Sequence, residues 1–215
     1  MKHKILIFDF DGTIADTHQF IIEISNRLSH EFKYKPILPH EIELLKDKTS
    51  QEIIRHLRVP IMKIPAILAK AKKEFYQGIS LLQPIDGLKE ILFRLKEEGN
   101  AMGILSSNSL ENIGQFLKNH QLDIFDFVEN TAKVWSKNTS LKRLIQENDF
   151  AIQEMLYIGD EIRDVIAAKR LGVKIAAVTW GYNSIDALKK HNPDFMVSSP
   201  EELFKLCSKN GTKTN

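Results

Sequence analysis

Cysteine is almost missing from this 215-residue chain: Cys207 stands alone, so no internal disulfide can form and the fold must be held by its core. Long apolar runs are missing too. The stretch after Lys4 holds four apolar residues before Asp9 interrupts it, too few for the core of a signal peptide, and nothing approaches the roughly 18 residues of a membrane span. A cytoplasmic protein without a membrane partner is the expectation. Neither sign of charge dominates, with 30 Lys and Arg against 28 Asp and Glu, a net charge of +2 and a pI near 8.5. That balance supplies no concentrated basic face, so no nucleic acid partner is expected. The seven histidines are scattered with no pair at metal-ligand spacing, which argues against a histidine zinc site. Internal repeats and low-complexity segments are also lacking.

What is present begins with Ile5-Leu6-Ile7-Phe8-Asp9-Phe10-Asp11-Gly12-Thr13. Four consecutive apolar residues read as a strand buried on both faces, the habit of a parallel sheet covered by helices. Side chains alternate along a strand, so Asp9 and Asp11 are expected to point the same way and Phe10 the other. Two carboxylates so close repel unless a proton or a cation stabilises the pair, and a hard divalent cation suits oxygen donors. Gly12 and Thr13 add backbone N–H groups and a hydroxyl suited to phosphate oxygens.

Further strand-like runs are Ala101 to Leu105, Phe125 to Val128, Met155 to Ile158, Lys174 to Val178 and Phe195 to Val197. Helical spacing separates them, as in Leu88-Ile91-Leu92-Leu95, Leu110-Ile113-Phe116-Leu117, Leu141-Leu144-Ile145 and Val165-Ile166-Ala168-Leu171. This alternation predicts an α/β fold, a doubly wound, Rossmann-like parallel sheet whose ligands bind outside the carboxyl ends of its strands. Residues 17–82 break the alternation, with amphipathic helical patterns punctuated by Pro36, Pro39, Pro60 and Pro65. They read as an inserted α-helical cap domain, with residues 1–16 and 83–207 as the catalytic core and 208–215 as a disordered tail. The insert carries eleven Lys or Arg against seven Asp or Glu, a basic lid over an acidic floor.

Polar residues at the other strand ends are the remaining candidates. Ser106-Ser107-Asn108-Ser109 precedes a helix, where hydroxyls and free N–H groups make an anion site, although Ser109 also suits a plain helix cap. Gly159-Asp160-Glu161-Ile162-Arg163-Asp164 puts Asp160 at a strand end as a metal ligand and Asp164 one helical turn on. A lysine ahead of the Leu141 helix, either Lys137 or Lys133, can neutralise a phosphoryl group and an aspartate together. Trp180, in Val178-Thr179-Trp180-Gly181-Tyr182, reads as core or lid packing.

Together these residues resemble the haloacid dehalogenase superfamily, specifically its phosphatases with a helical cap inserted after the first strand, and most nearly the phosphoglycolate phosphatase-like branch. The four motifs of that family match in order at Asp9 to Thr13, Ser106, Lys137 and Gly159 to Asp164. The resemblance implies that Asp9 is the nucleophile forming an aspartyl-phosphate and that Asp11 is the acid and then the base. It implies Mg²⁺ held by Asp9, the main-chain carbonyl of Asp11, Asp160 and Asp164. Thr13, Ser106 and Lys137 complete the catalytic set, while Gly12, Ser107 and Asn108, with Lys48 and Ser50 from the cap, bind substrate. The expected substrate is a small phosphorylated metabolite, phosphoglycolate-like or a sugar phosphate. Asp11 argues against dehalogenation, which releases no alcohol needing a proton; phosphonate hydrolysis would need Lys46 or Lys48 as a Schiff base. A sugar-phosphate mutase shares all four motifs and stands as an alternative, although Asp47 replaces the glycine common in the family's cap loop. A non-catalytic module sensing a phosphorylated metabolite is the other alternative, and monomer and homodimer are both open.

Overall fold

The computed structural model describes residues 4–131 and 137–208. Lys133 and residues 209–215 of the expected tail lie outside them. Strand β1 (Ile5–Phe8) pairs in parallel with β2 (Ala101–Ser106) on one side and β4 (Met155–Gly159) on the other. β3 (Phe127–Asn130), β5 (Lys174–Val178) and β6 (Phe195–Val197) complete a six-stranded sheet of order β3-β2-β1-β4-β5-β6. The chain thus winds outward from β1 in one direction and then, from β4, in the other. The crevice beside β1 is the switch point where such sheets bind ligands.

The apolar run of β1 is divided between two cores by strand alternation. Leu6 and Phe8 join a cluster with α5 (Leu88–Glu97), α6 (Leu110–Asn119) and α10 (Pro200–Cys207). Ile5 and Ile7 join a second with α7 (Lys137–Glu147), α8 (Ile162–Arg170) and α9 (Ile185–Lys190). A sheet covered on both faces explains why its inner strands carry no polar stripe. Between β1 and α5 lie α1 (His18–Phe32), α2 (Ile42–Lys46), α3 (Ser50–His56) and α4 (Ile64–Gly78), joined by short 3₁₀ turns. α1 packs along α4.

Two boundaries differ from expectation. The third strand starts at Phe127, because Asp126 closes the approach: its N–H donates to the Met102 carbonyl at 2.7 Å and its carboxylate accepts from the Met102 N–H at 2.8 Å. Ile124 and Phe125, which drew the reading upstream, pack on the core instead, while the paired segment is a half-buried edge. Ser208 does not belong to a disordered tail; it is buried and its hydroxyl bonds the Glu98 carboxylate.

Candidate active site

Asp9 follows the last residue of β1 and keeps the facing of Ile5 and Ile7, which turns it toward α7 and α8. There Lys137, the first residue of α7, donates to Asp9 Oδ2 at 2.6 Å and also to Asp164 of α8. Lys137 is buried. Burial opposes its charge, yet Asp164 and Asp9 hold it well above the ordinary lysine range, so the ammonium persists at neutral pH. Asp164 also caps α8, accepting from the Glu161 N–H at 3.0 Å.

Asp160, one residue beyond β4, is fully buried and anchored from two sides. Thr13 Oγ1 donates to its Oδ1 at 2.6 Å, and the Tyr182 N–H donates to its Oδ2 at 2.7 Å. Glycine is required around it. A Cβ on Gly12, whose φ is +75°, would stand 2.5 Å from Asp160 Oδ2, and one on Gly181 would overlap the same carboxylate.

The structure corrects two expectations at the first motif. Strand pairing stops at Phe8 and the chain turns, with the Ile14 and Ala15 N–H groups donating to the Phe10 carbonyl, so alternation no longer governs Asp11. Carboxylate oxygens of Asp9, Asp160 and Asp164 lie within 4.8 Å of one another, whereas the Asp11 side chain is outside that triad. It accepts instead from Asn108 Nδ2 at 3.2 Å to each oxygen and lines a cavity. The Gly12 and Thr13 N–H groups are spent within the turn, on the Ala15 and Phe10 carbonyls at 2.9 and 3.3 Å, rather than offered to an anion.

Burial first, and the neighbouring Asp9 second, push the Asp11 carboxyl up to about 7. Burial likewise pushes Asp160 well above the usual carboxylate range, and Asp164 up to about 7 against the opposing pull of Lys137. Buried Asp9, Asp11, Asp160 and Asp164 share the site with buried Lys137, while partly buried Glu161 pairs with Arg163, leaving an excess of acid. That excess, together with a triad of hard oxygen donors, fits a divalent cation.

At the end of β2, Ser106 is fully buried and its hydroxyl accepts from the Asn108 N–H at 3.1 Å. Ser109 caps α6, accepting from the Asn112 N–H, and Asn112 in turn holds Asn108 through its side chain at 2.8 Å. Asn108, expected to bind substrate, contacts the Asp11 carboxylate from this position. Ser107 lines the same cavity as Asp11, as do Lys48 and Ser50 from the helical insert. Ser50 Oγ reaches Glu161 at 3.5 Å.

The sequence reading missed Tyr182 and Asn183. Tyr182 closes over Gly12, and its hydroxyl bonds Thr17 at 2.8 Å, at the entry to the insert. Asn183 accepts from the Ile162 N–H at 2.8 Å and donates to the Lys46 and Lys48 carbonyls at 2.7 and 3.1 Å. Asp47 bonds the Ser184 hydroxyl. The signal available was the position of this loop after the fifth strand, on the carboxyl edge; Trp180 drew the weight, and its indole donates to the Thr13 carbonyl at 3.2 Å.

Comparison with known proteins agrees with this arrangement. The sequence model of the haloacid dehalogenase-like hydrolase family matches residues 6–178. A phosphoglycolate phosphatase of Synechococcus elongatus is 31% identical over 202 residues, covering 94% of this chain and 95% of that protein. The pyrophosphatase PpaX of Bacillus thuringiensis is 25% identical over 218 residues, covering 97% and 98%. The crystal structure of a predicted phosphatase from Clostridium acetobutylicum superposes with a TM-score of 0.83 at 20% identity, over 95% of this chain and 98% of the other. Family match and shared fold extend over nearly the whole length, and the chain belongs to the haloacid dehalogenase-like hydrolases.

Proposed function

We propose that this protein is a Mg²⁺-dependent phosphatase of small phosphorylated metabolites, acting in the cytoplasm through an aspartyl-phosphate on Asp9. The single observation that carries the reading is the paired use of two aspartates two residues apart. Asp9 accepts a hydrogen bond from the Lys137 ammonium at 2.6 Å, whereas Asp11 is held outside the triad by Asn108 with its proton affinity raised to about 7. Environments that separate two carboxyl groups in this way assign them different tasks.

Asp9 attacks phosphorus while Asp11 gives its proton to the leaving alcohol; Asp11 then takes a proton from the water that hydrolyses the acyl phosphate, restoring both groups. Splitting the displacement in two lowers each barrier. Lys137 orients Asp9, and Ser106 with Ser107 and Asn108 borders the phosphoryl position at the start of α6. Thr13 acts through Asp160, which its hydroxyl fixes. A Mg²⁺ held by Asp9, Asp160 and the Asp11 main-chain carbonyl, with Asp164 alongside, would supply charge neutralisation for the transferred group. We assign residues 17–82 as the cap that screens the site, since Lys48 and Ser50 reach the cavity from it.

Phosphate release measured with Mg²⁺ and with EDTA, in wild type and Asp9→Asn, tests this directly. Release that needs the metal and vanishes in Asp9→Asn is expected. Release that survives Asp9→Asn would remove Asp9 from the chemistry.

A further inference from the structure

The cavity above Asp11 has a volume of about 360 Å³, within the roughly 300–1,000 Å³ of small-molecule sites. Asp11, Ser107 and Arg163 face it from the core. Beyond them the wall is largely aliphatic, built by Ile21 and Ile22 of α1, Ile53 and Ile54 of α3 and Ile67 of α4, with Leu57 just past α3, while His18, Lys46, Lys48 and Glu161 also reach it. A second cavity of about 220 Å³ adjoins the same edge, sharing Asp11, Ser107, Ile21 and Ile67.

The helices that supply this wall are short of partners. None of the seven residues of α3 is fully buried, although Ile53 and Ile54 lie side by side on it, and α4 buries only Phe75 and Gly78 over fifteen residues. Aliphatic surface left half-covered beside a reacting group is surface that a ligand can cover. Several polar groups of the wall are engaged within the protein. The Tyr34 hydroxyl donates to the Ser25 carbonyl at 2.7 Å, Lys46 pairs with Glu43 at 2.8 Å, and Arg163 pairs with Glu161. Among the described residues, Lys48 is the cation of the wall with no ion pair.

We propose that the alcohol half of the substrate is apolar: the protein takes phosphomonoesters of alkyl or aryl alcohols, whose body fills the cavity between α1, α3 and α4. This rests on the phosphatase reading above and specifies its substrate class. The phosphoryl group sits at Asp9 and Asp11, and the leaving oxygen takes its proton from Asp11 as the alcohol departs into the aliphatic wall. A compact substrate with a second anionic group, such as phosphoglycolate or pyrophosphate, leaves most of that wall bare and brings that extra charge to it.

The test is kcat/KM with Mg²⁺ for methyl, butyl and hexyl phosphate and p-nitrophenyl phosphate, beside phosphoglycolate and pyrophosphate. Each methylene buried in the cavity is expected to raise kcat/KM about two- to fourfold, so that hexyl phosphate exceeds methyl phosphate by about 30- to 1,000-fold. Ile54→Asp is expected to lower the hexyl-to-methyl ratio; if that variant does not fold, the wild-type series decides alone. A flat series, or phosphoglycolate or pyrophosphate outpacing hexyl phosphate, overturns the proposal while leaving the phosphatase reading intact. No release from any ester by the folded, Mg²⁺-binding protein overturns both.

Discussion

At the scale of single residues, the division of labour between Asp9 and Asp11 follows from what each touches. Lys137, shared with Asp164, binds Asp9 directly, whereas Asp11 meets an amide and a cavity, where burial raises its proton affinity. Asp11→Asn preserves shape and removes the proton. It should lower kcat for phosphate release by about 10²- to 10⁴-fold, the usual worth of positioned acid–base catalysis, while a calorimetric Mg²⁺ titration stays near that of wild type. A loss of metal binding as large as the loss of rate would place Asp11 among the ligands through its side chain instead. The convergence of Asp9, Asp160 and Asp164 was legible because a strand end, a glycine and a following helix bracket each of them or its neighbour. The contact of Asn108 with Asp11 could not be read, since it spans 97 residues of sequence.

Among elements, the turn from β1 into the insert is the tightest piece of the site. Gly12 has φ +75°, and any side chain there meets Asp160 and the Tyr182 ring. Gly12→Ala should destabilise the protein by about 1–3 kcal/mol, from left-handed strain and displaced neighbours, and should weaken Mg²⁺ binding as Asp160 moves. Urea unfolding with and without Mg²⁺ checks both effects, and an unchanged midpoint would show that the turn relaxes freely. The strands and helices were readable from period alone, because β1, β2 and β4 are buried on both faces and α5 to α8 each present one apolar stripe. The edge strand β3 was displaced in the reading for the opposite reason: half-buried, it ends in Glu129 and Asn130, and further apolar residues, Ile124 and Phe125, lie before it. The docking of the α2–α3 loop onto Asn183 and Ser184 could not be read at all, since backbone carbonyls of Lys46 and Lys48 make most of it.

For the whole molecule, the buried acidic site makes stability depend on pH. The Asp11 carboxyl releases its proton near 3.8 when unfolded and near 7 when folded, so between these values the native state binds more protons. Stability therefore falls as pH rises from about 4 to about 7, by roughly 4 kcal/mol for this group alone at about 1.4 kcal/mol per unit. Asp160 shifts in the same direction, by burial and by Glu161. Glu41, held down to about 2 by Lys35 and His56, acts oppositely only in stronger acid. The metal-free protein should melt at a lower temperature at pH 8 than at pH 5, and Mg²⁺ should narrow that gap by neutralising the same charges. Equal melting temperatures in EDTA at the two pH values would contradict this picture of the site. The central claim, covalent catalysis at Asp9, is tested most directly by acid-quenching a single turnover of Asp11→Asn with p-nitrophenyl phosphate, whose leaving group departs without a proton so that only the second step loses Asp11, and mapping the modified peptide by mass. One added phosphoryl group on Asp9 is predicted; phosphate release with no phosphoryl at Asp9 at any quench time would contradict the account.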